Sequence, residues 1–442
     1  MSLSTTDVAH LLIALAALLV VTHACGSLFA AMRQPRVVGE IAGGLLLGPT
    51  VLGALAPDVQ AWLFPSTGAT ADAMKIAYQL GLLLLLFCTG TQIRAAFGRE
   101  ETRPVAWISL TGLVAPFLAG LLFLRLIDQR PFWGPSAGAT SFALVFAIAI
   151  AVTSIPVISR IMHDLGILDT PFARIVLGVA VVEDVVLYVV LAIALGLAAS
   201  GADTFGLPDA LGLTPGTAAD AVYHVAVTVA VLWVFLVPVR RLYPRVASSR
   251  RNVLHRRSPV AHQLVFMLGA TIACLALGVE AFFGALLAGV AVGASGGTAR
   301  DTTTIESFSF AFFIPLYFGL VGLQLDLRKG FDVWFFLAFL LFACAAKGLS
   351  VYAGARLAGE TPFASRNLAV AMNARGGPGI VLASVALAAG VVSESFYAML
   401  VMLAVVTSLA AGSWLERVPR DRLLGRPGER RRQTPAPRRA AG

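Results

Sequence analysis

Runs of about 20 apolar residues recur along almost the whole chain, parted by short stretches that hold arginine, proline or glycine. Each run is long enough to cross the ~30 Å hydrocarbon core of a bilayer as a helix. Inside a bilayer every backbone N–H and C=O must be bonded within the protein, so long apolar runs become helices. A barrel would show short alternating segments instead. Hydrophobic residues fill 58% of the 442 positions and charged ones 13%, too little polar surface to clothe a soluble globule of this size. The sequence predicts an all-α polytopic membrane protein.

Breakers divide the apolar runs into about 13 transmembrane helices, at about 9–32, 37–55, 73–93, 104–126, 138–162, 171–199, 218–239, 261–277, 279–295, 306–325, 333–357, 364–390 and 396–415. The first run is too long for a signal peptide core and lacks a basic flank, so it is expected to be retained. Basic residues concentrate on the cytoplasmic side of membrane proteins. With the N-terminus outside, the inner connections hold Arg33 and Arg36, then Arg94, Arg99 and Arg103, then Arg160 and Arg174. They also hold seven arginines from Arg240 to Arg257, and Arg300, Arg356 and Arg366. The outer connections hold Arg125, Arg130, Arg328 and Lys329. This asymmetry predicts an outside N-terminus and a cytoplasmic C-terminus; twelve spans would put several arginine groups on the wrong side.

The formal charge of +9 is not a nucleic-acid signal, because its basic clusters are neither interleaved with aromatics nor attached to a soluble recognition module. Nine arginines beyond Glu416 and the seven from Arg240 to Arg257 fit anchoring beside anionic lipid head groups. Residues 416–442 are expected to form a basic, disordered cytoplasmic tail. Cys25, Cys88, Cys274 and Cys344 lie inside spans without paired spacing, so neither disulfides nor a metal site is expected. No cofactor is expected. Arginine far outnumbers lysine in an alanine- and glycine-rich chain, which fits GC-rich bacterial coding and a bacterial inner membrane.

Spans one to six and eight to thirteen align as two inverted repeats, with span seven as linker. Glu40 and Gly44 in span two correspond to Glu280 and Gly284 in span nine, and Gly90-Thr91-Gln92 in span three to Gly322-Leu323-Gln324 in span ten. Secondary transporters often use this plan, with the site at mid-membrane where the repeats meet.

Polar and helix-breaking residues gather at that depth. Glu183 and Asp184 stand side by side in span six, Asp184 about 20 Å along it at 1.5 Å per residue. An acid there costs at least ~2.5 kcal/mol on insertion scales and is normally kept for ion or proton traffic. The two project about 100° apart on their helix, so one can face an ion path while the other reaches a partner. Lys347 in span eleven and Arg375 in span twelve supply compensating cations at similar depth. Lys347 reads either as a brace, for instance to Glu183, or as a cation that releases its carboxylate partner when substrate arrives. Arg375, permanently charged, suits a fixed role. Thr153 and Ser154 lie beside Pro156 in span five, and Asn373 precedes Gly376-Gly377-Pro378-Gly379 in span twelve. These breakers predict two interrupted helices whose free carbonyls and helix ends meet near the acids. A carboxylate that binds a proton or a partly dehydrated cation, but not both, couples their movements; Asp184 is the candidate, with Na⁺ or K⁺ as the metal it would hold. Gly44, Gly48, Gly289 and Gly293 read as packing positions.

The chain resembles the monovalent cation:proton antiporter superfamily, in particular its second family of bacterial sodium/proton and potassium/proton antiporters and plant cation/proton exchangers. The resemblance runs from about Gln34 to Trp414. It rests on Pro35-Arg36-Val37-Val38-Gly39-Glu40-Ile41 with Leu47-Gly48-Pro49, on Thr153-Ser154-Ile155-Pro156-Val157-Ile158-Ser159-Arg160, on Glu183-Asp184, on Lys347-Gly348 and on Asn373-Ala374-Arg375-Gly376. It implies a sodium/proton-antiporter-like fold with crossed discontinuous helices, and a homodimer in which a core carries the ion past a fixed dimerisation domain. The core would be about 104–199 and 333–415, the dimerisation helices about 9–93 and 261–325, and the linker about 218–239, within a transmembrane domain of 1–415. It implies exchange of Na⁺ and/or K⁺ for H⁺ by an elevator-like cycle serving pH homeostasis. Asp184 matches the essential carboxylate. Glu183 stands where the family usually has aspartate, asparagine or glutamine, so stoichiometry and electrogenicity do not carry over. Lys347 matches a lysine of electrogenic members, where several potassium exporters carry arginine. Gly377 replaces an acid found in many relatives. The nucleotide-binding domain of some potassium-efflux relatives is not expected.

Gly293-Ala294-Ser295-Gly296-Gly297 satisfies the Gly-x-Ser-x-Gly pattern of a hydrolase nucleophile, but it closes a membrane span rather than a strand–turn–helix. No phosphate-binding Gly-x-x-x-x-Gly-Lys pattern points to an ATP-driven pump. The rival reading on the same fold is a transport-dead cation or pH sensor, which would bind cations without exchanging protons.

Overall fold

The computed structural model describes residues 4–32, 34–92, 101–154, 157–158, 161–162, 165–167, 170–198, 207–212, 218–249, 252–279, 281–294, 299–328 and 330–418. Polar residues at the edges of the apolar runs start the helices. Ser4 accepts from the Asp7 N–H and Asp7 reaches back, a capping box at the head of the first helix. Asp332, Thr361 and Ser393 likewise cap later helices with their side chains. The main helices in order are α1 (Thr5–Ala31), α2 (Arg36–Leu47), α3 (Ala69–Gln92), α4 (Thr102–Phe123), α5 (Ala139–Ala151), α6 (Pro171–Ala198) and α7 (Ala218–Val234). Then come α8 (Pro259–Ala276), α9 (Ala281–Ala294), α10 (Ile314–Leu323), α11 (Val333–Leu357), α12 (Pro362–Ala371), α13 (Gly376–Ala388) and α14 (Glu394–Arg417).

Ten helical segments among the described residues are long and apolar enough to cross a membrane. Of the thirteen expected spans, five, seven and nine are not among these ten: five and nine carry the shorter α5 and α9, and seven carries the 17-residue α7 with a π-helical turn at Phe235–Val239. Spans eight and nine, nearly continuous in sequence, are parted by a turn at Gly278, whose φ of +72° favours glycine. Glu280, Ser295 and the chain beyond Val418 lie outside the described residues.

The breaks fall earlier than the breakers themselves. α5 stops at Ala151 and residues 152–154 are not helical, while Ile155 and Pro156 lie outside the described residues. In the twelfth span the interruption lies between Ala371 and Gly376, around Asn373. Gly376, Gly377, Pro378 and Gly379, expected to form the break, instead make the first turn of α13. A proline ring clashes with the carbonyl four residues upstream and is tolerated in a helix's first turn. Four residues before Pro156 and Pro378 are Val152 and Ala374, one in each interruption.

Backbones approach closely where glycines face each other. α2 lies along α10, with Gly44 against the Gly319 carbonyl and Gly322 against the Ile41 carbonyl. α3 lies along α9, with Gly289 against the Phe87 carbonyl and Gly90 against the Leu286 carbonyl. These are the packing roles expected of Gly44 and Gly289. Elsewhere α11 packs on α4 and α12, α5 on α4 and α6, and α13 on α14. Phe146 of α5, Phe339 of α11 and Phe396 of α14 stack at centroid distances of 5.1–5.8 Å and tie those helices together.

A side chain at Gly289 has no room without moving the α3 backbone, whereas a Cβ at Gly269 of α8 meets nothing within 4 Å. Gly289→Val is expected to destabilise the protein by about 1–3 kcal/mol through overpacking, seen as a lower unfolding midpoint in detergent. Gly269→Ala is expected to leave the midpoint unchanged or slightly raised. Equal midpoints for the two variants would contradict this packing.

Candidate functional site

Glu183 and Asp184, both fully buried on α6, have different surroundings. Glu183 Oε1 accepts from Lys347 Nζ at 2.5 Å, while its Oε2 has no hydrogen-bond partner. Asp184 has no partner at either carboxylate oxygen. Adjacent helical positions point about 100° apart, which lets one acid reach α11 while the other faces elsewhere.

Lys347, itself 0% exposed, uses all three ammonium protons: one to Glu183, one to the Gly112 carbonyl of α4 at 2.9 Å and one to the Ala151 carbonyl of α5. Gly112 admits this arrangement, since a Cβ there would lie 2.9 Å from Val351 and 3.6 Å from Glu183 Oε1. Arg375 gives Nη2 to the Ile150 carbonyl at 3.0 Å and the Ala343 carbonyl at 2.8 Å, and Nη1 to the Asn373 carbonyl and side-chain oxygen at 3.2 and 3.1 Å. Two cations therefore close the carbonyl end of α5, where the broken helix leaves acceptors unpaired and the helix dipole is negative.

The two interruptions cross and bond to each other. The Ser154 N–H donates to the Ala374 carbonyl at 2.6 Å, and the Thr153 hydroxyl to the Met372 carbonyl at 2.5 Å. The Gly377 N–H returns a bond to Ser154 Oγ at 3.1 Å, and the Gly376 N–H donates to Ser408 Oγ at 3.2 Å. Gly376 is required by the close approach, because a Cβ there would sit 2.7 Å from Ser154 Oγ. Asn373 donates to the Ala369 carbonyl at 3.0 Å and so helps finish α12.

The structure thus joins Thr153, Ser154, Lys347, Arg375, Asn373, Gly376 and Gly377 with Glu183 in one network, with Pro378 and Gly379 in the adjoining first turn of α13. Asp184 stands next to this network without a bond to it. Several members carry no side-chain signal in the sequence: the carbonyls of Gly112, Ile150, Ala151 and Ala343. Thr407 and Ser408 were legible only as adjacent hydroxyls in the apolar span thirteen; Thr407 Oγ1 accepts from the Arg375 N–H at 3.4 Å. Tyr188, one turn beyond Asp184, is a lone buried phenol in the same helix.

An all-helical membrane bundle with two crossed, interrupted helices beside buried acids defines a secondary transporter, not an enzyme. The chain belongs to the transmembrane sodium/hydrogen exchanger family, which it matches over residues 14–419. It is 26% identical to the Na(+)/H(+) antiporter NhaS4 of Synechocystis, over 91% of this chain and 96% of that one. It is also 26% identical to the K(+)/H(+) antiporter 1 of Saccharomyces cerevisiae, over 86% of this chain but only 43% of that longer protein. In fold it is similar to the sodium proton antiporter MjNhaP1 of Methanocaldococcus jannaschii, with a TM-score of 0.63, 14% identity and coverage of 95% of this chain and 99% of that one. The resemblance in the sequence motifs is therefore borne out at the level of family and fold.

Removing one partner of a buried ion pair strands the other, at a cost of about 3–5 kcal/mol. Lys347→Met is expected to lower stability by that amount, and Glu183→Gln combined with it to restore most of the loss, in a double-mutant cycle of unfolding in detergent. A double variant no more stable than Lys347→Met would contradict the pair.

Proposed function

We propose that this protein exchanges a monovalent cation, Na⁺ and/or K⁺, for H⁺ by alternating access, with Asp184 as the seat that cation and proton share. The observation that carries the reading is the contrast between the two acids. Glu183 is held by Lys347, whereas Asp184 is equally buried and both its oxygens lack a partner. A bare carboxylate in such surroundings is costly, so occupancy alternates between a proton and a cation rather than lapsing. Among the described residues no three His, Cys, Asp or Glu side chains gather as a metal cluster. The remaining oxygens around a cation at Asp184 would then be hydroxyls, carbonyls or water, a set suited to a weakly held monovalent ion. Relatives named as sodium and as potassium antiporters support keeping both ions.

In this reading α4–α6 and α11–α14 form a moving core, α1–α3 and α8–α10 a fixed dimerisation set, and α7 the linker. Side-chain hydrogen bonds between the two sets include Tyr317 to Ser384 at 3.5 Å, Tyr397 to the Val321 carbonyl at 3.1 Å and Gln34 to Ser413 at 3.1 Å. Such isolated contacts leave a seam able to shift, unlike the bonded crossing inside the core. The chain would work as a homodimer in a bacterial inner membrane, with the N-terminus outside and the C-terminus cytoplasmic.

Proteoliposomes carrying a pH gradient, given Na⁺, Li⁺, K⁺ or Rb⁺ in turn while internal pH is followed, test the reading. The wild type is expected to collapse the gradient with at least one cation and Asp184→Asn to fall to background. Wild-type rates in Asp184→Asn would refute the site, and cation binding without exchange in the wild type would favour a sensor. Glu183→Gln is expected to keep exchange and alter the charge moved per cycle; unchanged electrogenicity would make Glu183 a brace only.

A further inference from the structure

Tyr188 lies four residues beyond Asp184 on α6 and therefore on the same helix face. It is 1% exposed, and its hydroxyl has no hydrogen-bond partner. A buried phenol usually finds a partner for its O–H, since leaving it unmade costs about 1–3 kcal/mol. Three other tyrosines do so here: Tyr317 donates to Ser384, Tyr397 to the Val321 carbonyl and Tyr223 to the Leu277 carbonyl. Tyr188 departs from the pattern beside Asp184, whose two oxygens also lack partners among the described residues.

The Tyr188 ring is not idle. It packs against Phe283 edge-on at 6.1 Å and against Phe282 at 6.2 Å, both on α9, which fixes where the hydroxyl can go. Four residues apart on one helix, Asp184 and Tyr188 are surface neighbours of α6. An ionised carboxylate only accepts, whereas a phenol both donates and accepts. Both oxygens on this helix face have unused lone pairs, which a cation beside Asp184 would take, while the phenol O–H stays free to donate to a water.

We propose that the Tyr188 hydroxyl is a second oxygen ligand for the transported monovalent cation beside Asp184, direct or through one water, and so sets cation affinity. When Asp184 carries a cation, the phenol oxygen offers it a lone pair. When Asp184 carries a proton, the hydroxyl has only a neutral carboxyl to bond. The contribution therefore favours the cation-loaded form over the proton-loaded one. This inference rests on Asp184 as the shared seat.

Tyr188→Phe removes the oxygen and keeps the ring against Phe282 and Phe283. In proteoliposomes it is expected to raise the apparent KM for the transported cation about five- to tenfold while Vmax stays within about twofold. Because protons then compete more effectively, the activity profile at fixed cation concentration should move to higher pH, by about 0.7–1 unit for that change in affinity. A cation-induced rise in unfolding midpoint, read in detergent without turnover, should need the same factor more cation. Unchanged KM, pH profile and cation response, with exchange still abolished in Asp184→Asn, would overturn the ligand role and leave the reading of Asp184 intact. Exchange at wild-type rates in Asp184→Asn would overturn both.

Discussion

In a bilayer a broken helix is permissible only where protein groups or trapped water, and not lipid, take its free backbone groups, and the centre of this molecule is organised around that requirement. α5 ends in mid-bundle at Ala151, and its Ile150 and Ala151 carbonyls are taken by Arg375 and Lys347. α13 begins at Gly376, and the N–H groups of Gly376 and Gly377 are taken by Ser408 and Ser154. The Ser154–Ala374 backbone bond ties one interruption to the other. Without these partners neither break is tolerable, and without the break in α5 Lys347 and Arg375 lose the Ala151 and Ile150 carbonyls, one acceptor each.

The same network decides how charge is divided. Lys347 is committed to two backbone carbonyls and to Glu183, and Arg375 to carbonyls and the Asn373 side chain. That leaves Asp184, among four charged side chains buried together, as the one with no partner assigned by the fold. In the proposed exchange this is what makes it useful: a group already satisfied would have to break a bond before accepting an ion. The Glu183–Lys347 pair then cancels its own charge, which leaves Arg375 as the one net positive charge among the other three members whichever passenger Asp184 holds.

Much of this was legible in the chain, because the bilayer imposes length and polarity so strictly. Apolar runs located the helices, and residues as costly as Glu183, Asp184, Lys347 and Arg375 marked the site by being there at all. Proline announced both interruptions but misplaced them: the described non-helical residues precede Pro156, and Pro378 lies in the first turn of a helix. The sequence offered Glu183 as a brace for Lys347 but did not decide between that and a cation released when substrate arrives. The pairing depends on the rotation of α6 against α11, which periodicity does not specify. Gly112, Ile150, Ala151 and Ala343 were not legible, because they contribute through the main chain and carry no side-chain signature.

The central claim is that one carboxylate serves cation and proton by turns, and binding measured as a function of pH tests it without turnover. Purified protein in detergent, titrated with the transported cation at a series of pH values, should release protons as cation binds. Its apparent Kd should weaken about tenfold for each unit of acidification once Asp184 is largely protonated. Asp184→Asn should neither bind with this dependence nor release protons. A cation affinity independent of pH, with no proton released, would contradict the shared seat.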